Sequence, residues 1–182
     1  MRKKSMESYI IYWRKDRVKQ ILNNGDKGPL SVIYGGPHQS QPALGRVGVG
    51  DRVYPITVIS GTMYLLGRMT INEIVDAEEY LKGTLKLVNP DFFWDMYWYK
   101  HISEVTHKIP ATCTDLAALG DDGTALGFRE VPSNIATQIR VGPKPGQETL
   151  LRSKDGKIST VGLIGYYRRL SYDSATMLDE CL

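Results

Sequence analysis

The chain has 182 residues, 42% of them apolar and 24% charged, and a formal net charge of +3. That length suits one domain with a real core, and the charged fraction is ordinary for a globular protein, which argues against disorder. No apolar run approaches the roughly 18 residues of a membrane helix. Residues 9–13, behind Arg2, Lys3 and Lys4, are too few for a secretory core and meet Arg14 at once, so the expected location is the cytoplasm, with no membrane partner.

In chain order, residues 8–13 (SYIIYW) read as a largely buried strand. Residues 14–25 read as a helix with Val18, Ile21 and Leu22 on its apolar stripe and Asn23, Asn24 and Gly25 as the stop. A second strand covers 31–34. The glycine- and proline-rich stretch 35–48 is long for a plain connector, and loops of this length are often functional.

Residues 45–71 are the stretch that organises the chain. Val53, Tyr54, Ile56, Thr57, Val58 and Ile59 are strand formers, and Ser60-Gly61 is a two-residue turn. Alternation in the second half puts Met63, Leu65, Gly67, Met69 and Ile71 on an apolar face and Tyr64, Leu66, Arg68 and Thr70 on a mixed one. Pro55 indicates an edge or a bulge, and Gly67 a bend or a close backbone approach. The glycines at 45, 48 and 50 open a strand instead of following one, so they are no dinucleotide fingerprint, and no phosphate-loop motif occurs elsewhere.

Residues 72–75 read as a continuation of strand and 76–82 as a short helix with Ala77, Tyr80 and Leu81 inward. Phe92, Phe93, Trp94, Tyr97, Trp98 and Tyr99 crowd the next segment, which fits either a helix begun at Asn89 or Asp91, or a strand. Such rings pack in cores more often than they bind ligands, and an exposed one would stack on a base or form a protein contact. Further on, a strand is expected over 124–129 and a helix over 131–142, capped by Ser133 or Asn134. Residues 148–152 and 157–163 are expected to pair across Asp155-Gly156. A C-terminal helix starts near 172–174 with Ala175, Leu178 and Cys181 or Leu182 inward.

Charge is unevenly spread. Residues 1–60 carry ten Lys and Arg against four Asp and Glu, and residues 61–182 carry 13 against 16. That asymmetry fits either a nucleic-acid face or a solvated surface. Cys113 and Cys181 read as free thiols, and His38, His101 and His107 lack metal-ligand spacing, so no metal or cofactor is implied. No hydrolase, metalloprotease or Cys/His signature is present, and the carboxylate pairs Glu78-Glu79 and Asp121-Asp122 read as a solvated helix face and a turn.

Gly48-Val49-Gly50-Asp51-Arg52-Val53, with the later Leu65-Leu66-Gly67-Arg68-Met69-Thr70-Ile71, resembles the PUA-like superfamily, the pseudo-barrel group that includes the EVE and ASCH domains. The likeness covers the first 80 or so residues. The Ser-Glu-Pro element of EVE domains and the Gly-x-Lys-x-x-Glu-x-Arg signature of ASCH domains are both absent, so no catalytic residue carries over.

The resemblance implies an α+β fold, a small curled mixed or antiparallel β-barrel with flanking helices and an appended α+β C-terminal half. The division would fall between a barrel core over 1–88 and an extension over 89–182 packed on it. It also implies a nucleic-acid or modified-base pocket between the early strand-helix region and the barrel. By position that pocket would involve Trp13, Arg14, Arg17, Tyr34, Arg46 and Arg68. The expected function is a non-catalytic nucleic-acid-binding module; the alternative is an interaction or inhibitory component of a bacterial or phage conflict system, using residues 92–99.

Overall fold

The computed structural model describes residues 6–15, 18, 19, 23, 25, 27–36, 44–84, 115–163 and 168–182. Within them the chain is mostly strand: β1 (Ser8–Tyr12), β2 (Val32–Gly35), β3 (Arg52–Ile59), β4 (Thr62–Leu65), β5 (Met69–Thr70), β6 (Glu73–Asp76), β7 (Leu116–Leu119), β8 (Arg129–Glu130), β9 (Arg140–Val141), β10 (Thr149–Leu150), β11 (Ser153–Lys154), β12 (Lys157–Ile158) and β13 (Arg168–Arg169). The helices are α1 (Ala77–Thr84), α2 (Ser133–Ala136) and α3 (Tyr172–Asp179). Lys15, Val18, Lys19 and Asn23 are also helical, and Val18 is buried.

A central mixed sheet runs β13-β1-β3-β4-β8, with β5 also on β3; a second, antiparallel sheet runs β2-β7-β6. β1 and β3 are parallel, in register from Ser8 opposite Arg52 to Tyr12 opposite Ile56. Both read as near-continuous apolar runs, as strands buried on two faces do. For β1 that is the largely buried strand expected. Ile10, Tyr12, Tyr54, Ile56 and Val58 pack on the C-terminal elements, including Ile139, Leu151, Leu170 and Leu178. Tyr9, Ile11, Trp13 and Val53 pack on the other side, with Leu30, Ile33, Leu44 and Ala118.

The small curled barrel that was expected does not close among the described residues, which are mostly strand in mixed and antiparallel sheets. A sheet covered on both faces lies between two layers, whereas a barrel would need one face turned in on itself.

The hairpin turns at Ser60 (φ 53°) and Gly61 (φ 87°), positive at both positions as a type I′ turn requires. Between the pairs Ile56–Leu65 and Val53–Met69, two residues of β3 face three of the returning strand, Leu66, Gly67 and Arg68. That is a bulge, and the extra residue reverses which way later side chains point. Met63 and Leu65 therefore belong to one core, and Met69 and Ile71 to the other. Pro55 sits opposite the bulge, where its carbonyl accepts from the Leu66 N–H at 2.9 Å. A Cβ on Gly67 would stand 3.2 Å from the Thr124 hydroxyl oxygen, the close approach that glycine permits.

Three further expectations are corrected. Residues 124–128 form no strand, because their backbone bonds go to separate segments: Thr124 to Leu30 and Arg68, Leu126 to Lys27, Gly127 to Leu66. The helix over 131–142 shrinks to α2, begun at Pro132 without a side-chain cap, and Arg140–Val141 leaves as β9 to pair with β10. Across Asp155-Gly156 only Ser153–Lys154 and Lys157–Ile158 pair. The C-terminal helix forms as expected, with Ser171 Oγ accepting from the Ser174 N–H and with Ala175 and Leu178 buried.

Candidate functional site

Arg52 and Tyr54 are two apart on β3 and so share a face, the face that α3 covers. The bulge brings Arg68 to the same side. Asp179, in the last turn of α3, receives all three. Arg52 Nη1 donates to its Oδ2 at 3.0 Å, Tyr54 Oη to its Oδ1 at 2.9 Å, and Arg68 Nη1 to its Oδ1 at 3.1 Å. A carboxylate at a helix C-terminus opposes the macrodipole, and the two guanidiniums offset that cost.

The group is half-buried: Arg52 is 26% exposed, and Arg68 and Asp179 are each 28% exposed. Screening at such exposure keeps each ion pair modest. The Nε–H groups of Arg52 and Arg68 are buried and meet no acceptor among the described residues. The site thus holds two cations around one shared anion, with donor capacity left over. Burial pushes the Tyr54 phenol up to about 12, helped by its bond to Asp179 and opposed by Arg52.

Asp122 adds a second acid at the margin. It accepts from the Thr70 N–H at 2.6 Å and the Thr70 hydroxyl at 2.7 Å. Burial pushes its carboxyl up, but those two bonds and the charge of Arg68 prevail and hold it below the usual range. Thr124 braces Arg68, its hydroxyl accepting the Arg68 N–H at 2.9 Å.

Asp51, the acid of the Gly-Asp-x-Val element, is a buried loop staple. It accepts from the Gly48 N–H at 2.8 Å and the Glu7 N–H at 3.2 Å, tying the approach of β3 to the start of β1. Arg169 plays a similar part further along, buried and ion-paired to Glu7 and Glu148.

The residues singled out from the sequence do not gather in one place. Trp13 and Tyr34 are core side chains, each 1% exposed, and the Tyr34 ring lies against Tyr80. Arg14 is exposed just past the C-terminal end of β1, while Arg52 begins the neighbouring β3 at the opposite end of that pair. Arg46 is exposed in the loop that feeds β3. Of the five that are described, Arg68 alone joins the Asp179 cluster. Arg17, the histidines, Cys113 and the aromatic segment 92–99 lie outside the described residues. Cys181 carries a free thiol.

No protein-family model and no curated protein matches the chain. Among solved structures it is similar to the crystal structure of a mutant ZmASCH protein from Zymomonas mobilis, at 16% identity and a TM-score of 0.37, over 80% of this chain and 89% of that one. A likeness of that degree transfers no residue role, and the site is read from its own geometry.

Three partners in the cluster were missed in the sequence. Arg52 was visible inside the Gly-Asp-x-Val element and Tyr54 two residues on, but both read as plain strand. Asp179 had one signal, an acid in the last turn of a helix that lacks a basic residue there. No helix among the described residues is long and apolar enough to cross a membrane.

Proposed function

We propose that this chain is a nucleic-acid-binding module, with Arg52 and Arg68 as its phosphate contacts. The observation that supports this most is the convergence of two guanidiniums and a phenol on the single carboxylate of Asp179. Donors set to hold one carboxylate are also set to hold a phosphate oxygen, and a guanidinium presents its N–H groups in a planar fork that matches either group. Exposed Arg14, Lys15, Lys19, Lys27 and Arg46 supply the sequence-independent attraction that such binding needs.

The finer proposal, reading of a modified or flipped base, requires an aromatic surface. The half-buried Tyr64 and Phe128 rings, stacked at 4.4 Å, offer one.

The test is fluorescence anisotropy with labelled single- and double-stranded RNA and DNA oligonucleotides at about 50 and about 200 mM salt. Binding should weaken steeply between the two, and the Arg52→Gln/Arg68→Gln double variant should bind more weakly with a shallower salt slope. No binding to any oligonucleotide at the lower salt, by a protein shown to be folded, overturns the proposal.

A further inference from the structure

A cavity of about 330 Å³ opens between the β9–β10 ribbon and Ser159, Gly162, Leu163 and Arg168, and it shares no lining residue with the Asp179 cluster. That is the size at which pockets for small ligands begin. Its floor is apolar: Val141, Leu151 and Leu163 are each buried at 7% exposure or less and belong to the larger core cluster. Leu150, 53% exposed, stands at its rim.

The polar lining is one-sided in charge. Arg152 and Arg168 both line the cavity, and no carboxylate does so among the described residues. Arg168 is held in place, its Nε–H donating to the Gly162 carbonyl at 2.6 Å. Glu148, between the lining residues Gln147 and Thr149, is engaged by Arg169. Thr149 and Ser159 add hydroxyls that donate or accept. An apolar floor under two cations and two hydroxyls suits a ligand with an apolar body and an anionic head.

We propose that this cavity is a binding site for a small organic anion, an apolar ring or chain ending in a phosphate or carboxylate. Arg152 and Arg168 hold the head, and Leu150, Leu151 and Leu163 receive the body. This goes beyond the nucleic-acid reading and does not depend on it.

Phenyl phosphate and benzoate are the probes, with inorganic phosphate and phenol as head-only and body-only controls, followed by amide chemical shifts of the full chain. Saturable shifts at Gly142, Leu150, Ser159 and Gly162 are expected with phenyl phosphate, with benzoate, or with both, which distinguishes the two heads. Each control should bind about tenfold more weakly or worse, the scale of one charge-assisted contact or one buried ring. Arg152 is exposed, so Arg152→Gln should keep the melting temperature and still weaken the better probe about tenfold. Arg168→Gln should do the same, with fold integrity read from its amide spectrum. Absence of shifts at these residues, phenol binding as tightly as either anion, or full affinity in folded Arg152→Gln overturns the proposal.

Discussion

Arg68 and Asp179, 111 residues apart in the chain, meet at 3.1 Å. That bond joins the bulged return of the central hairpin to the last turn of α3, and Asp179 shares its carboxylate with Arg52 and Tyr54. The same contact is a latch on the C-terminal helix and the core of the candidate phosphate site.

The two roles separate on substitution. Asp179→Asn keeps the shape, removes the charge, and should cost about 1 kcal/mol, because the pairs are half-exposed. For a chain of this size that lowers the melting temperature by about 2–4 °C. If the arginines contact phosphate, oligonucleotide affinity should rise in the same variant, since an anion competing for them has gone. A destabilised variant with lower affinity would show that Asp179 only braces the helix.

Glycines in this fold divide by what a methyl group would meet. At Gly123 a Cβ would fall 1.6 Å from the Leu30 carbonyl oxygen, and backbone cannot yield as a side chain can. Gly123→Ala should destabilise by about 3 kcal/mol or more, among the severe single substitutions. At Gly83, the last residue but one of α1, a Cβ meets nothing within 4 Å among the described residues. Gly83→Ala should stabilise by about 0.5–1 kcal/mol through helix propensity. Urea melts of the two variants against the parent check both signs.

Tyr54 carries an alkaline signature. Its folded value of about 12 lies above the ordinary 10.0, so the folded state holds the proton longer than the unfolded chain does. The stability this contributes is fully present below pH 10 and is lost as pH rises from about 10 towards about 12. Absorbance titration of phenolate should show a late-ionising component, to which Tyr80, also raised by burial, contributes, and that component should lose one phenolate's absorbance in Tyr54→Phe. A Tyr54→Phe titration identical to the parent's would refute this assignment.

Asp122 acts at the other end of the scale. Its folded value lies below the ordinary 3.8, so its contribution is present above about pH 4 and is lost as pH falls through the folded value. Asp122→Asn should be less stable than the parent at neutral pH, and the gap should narrow on acidification. Melting temperatures across an acid series read the difference directly, and a gap that stays constant with pH would count against the assignment.

Local order was legible in the residues themselves. β-branched and aromatic content marked β1 and β3, and alternation marked β4. Ser60-Gly61 marked the two-residue turn, the apolar spacing of Ala175 and Leu178 marked α3, and Pro55 with Gly67 marked the bulge region. Each of these signals acts within a few residues, where backbone sterics and side-chain period decide. What followed from the bulge was not legible. One extra residue reverses the facing of Arg68, and whether a strand carries one depends on the strand it pairs with.

The amino-acid sequence by itself determined that this chain forms short strands joined by glycine turns, with basic residues concentrated in its first third and a helix at its end. Only the tertiary structure decided that β1 and β3 lie parallel between two cores, that Trp13 and Tyr34 are sealed inside, and that Arg52, Tyr54 and Arg68 share one carboxylate. The physical reason is range. Turns and caps are satisfied by neighbours in sequence, whereas sheet order and ion pairing are settled by which distant surfaces bury together.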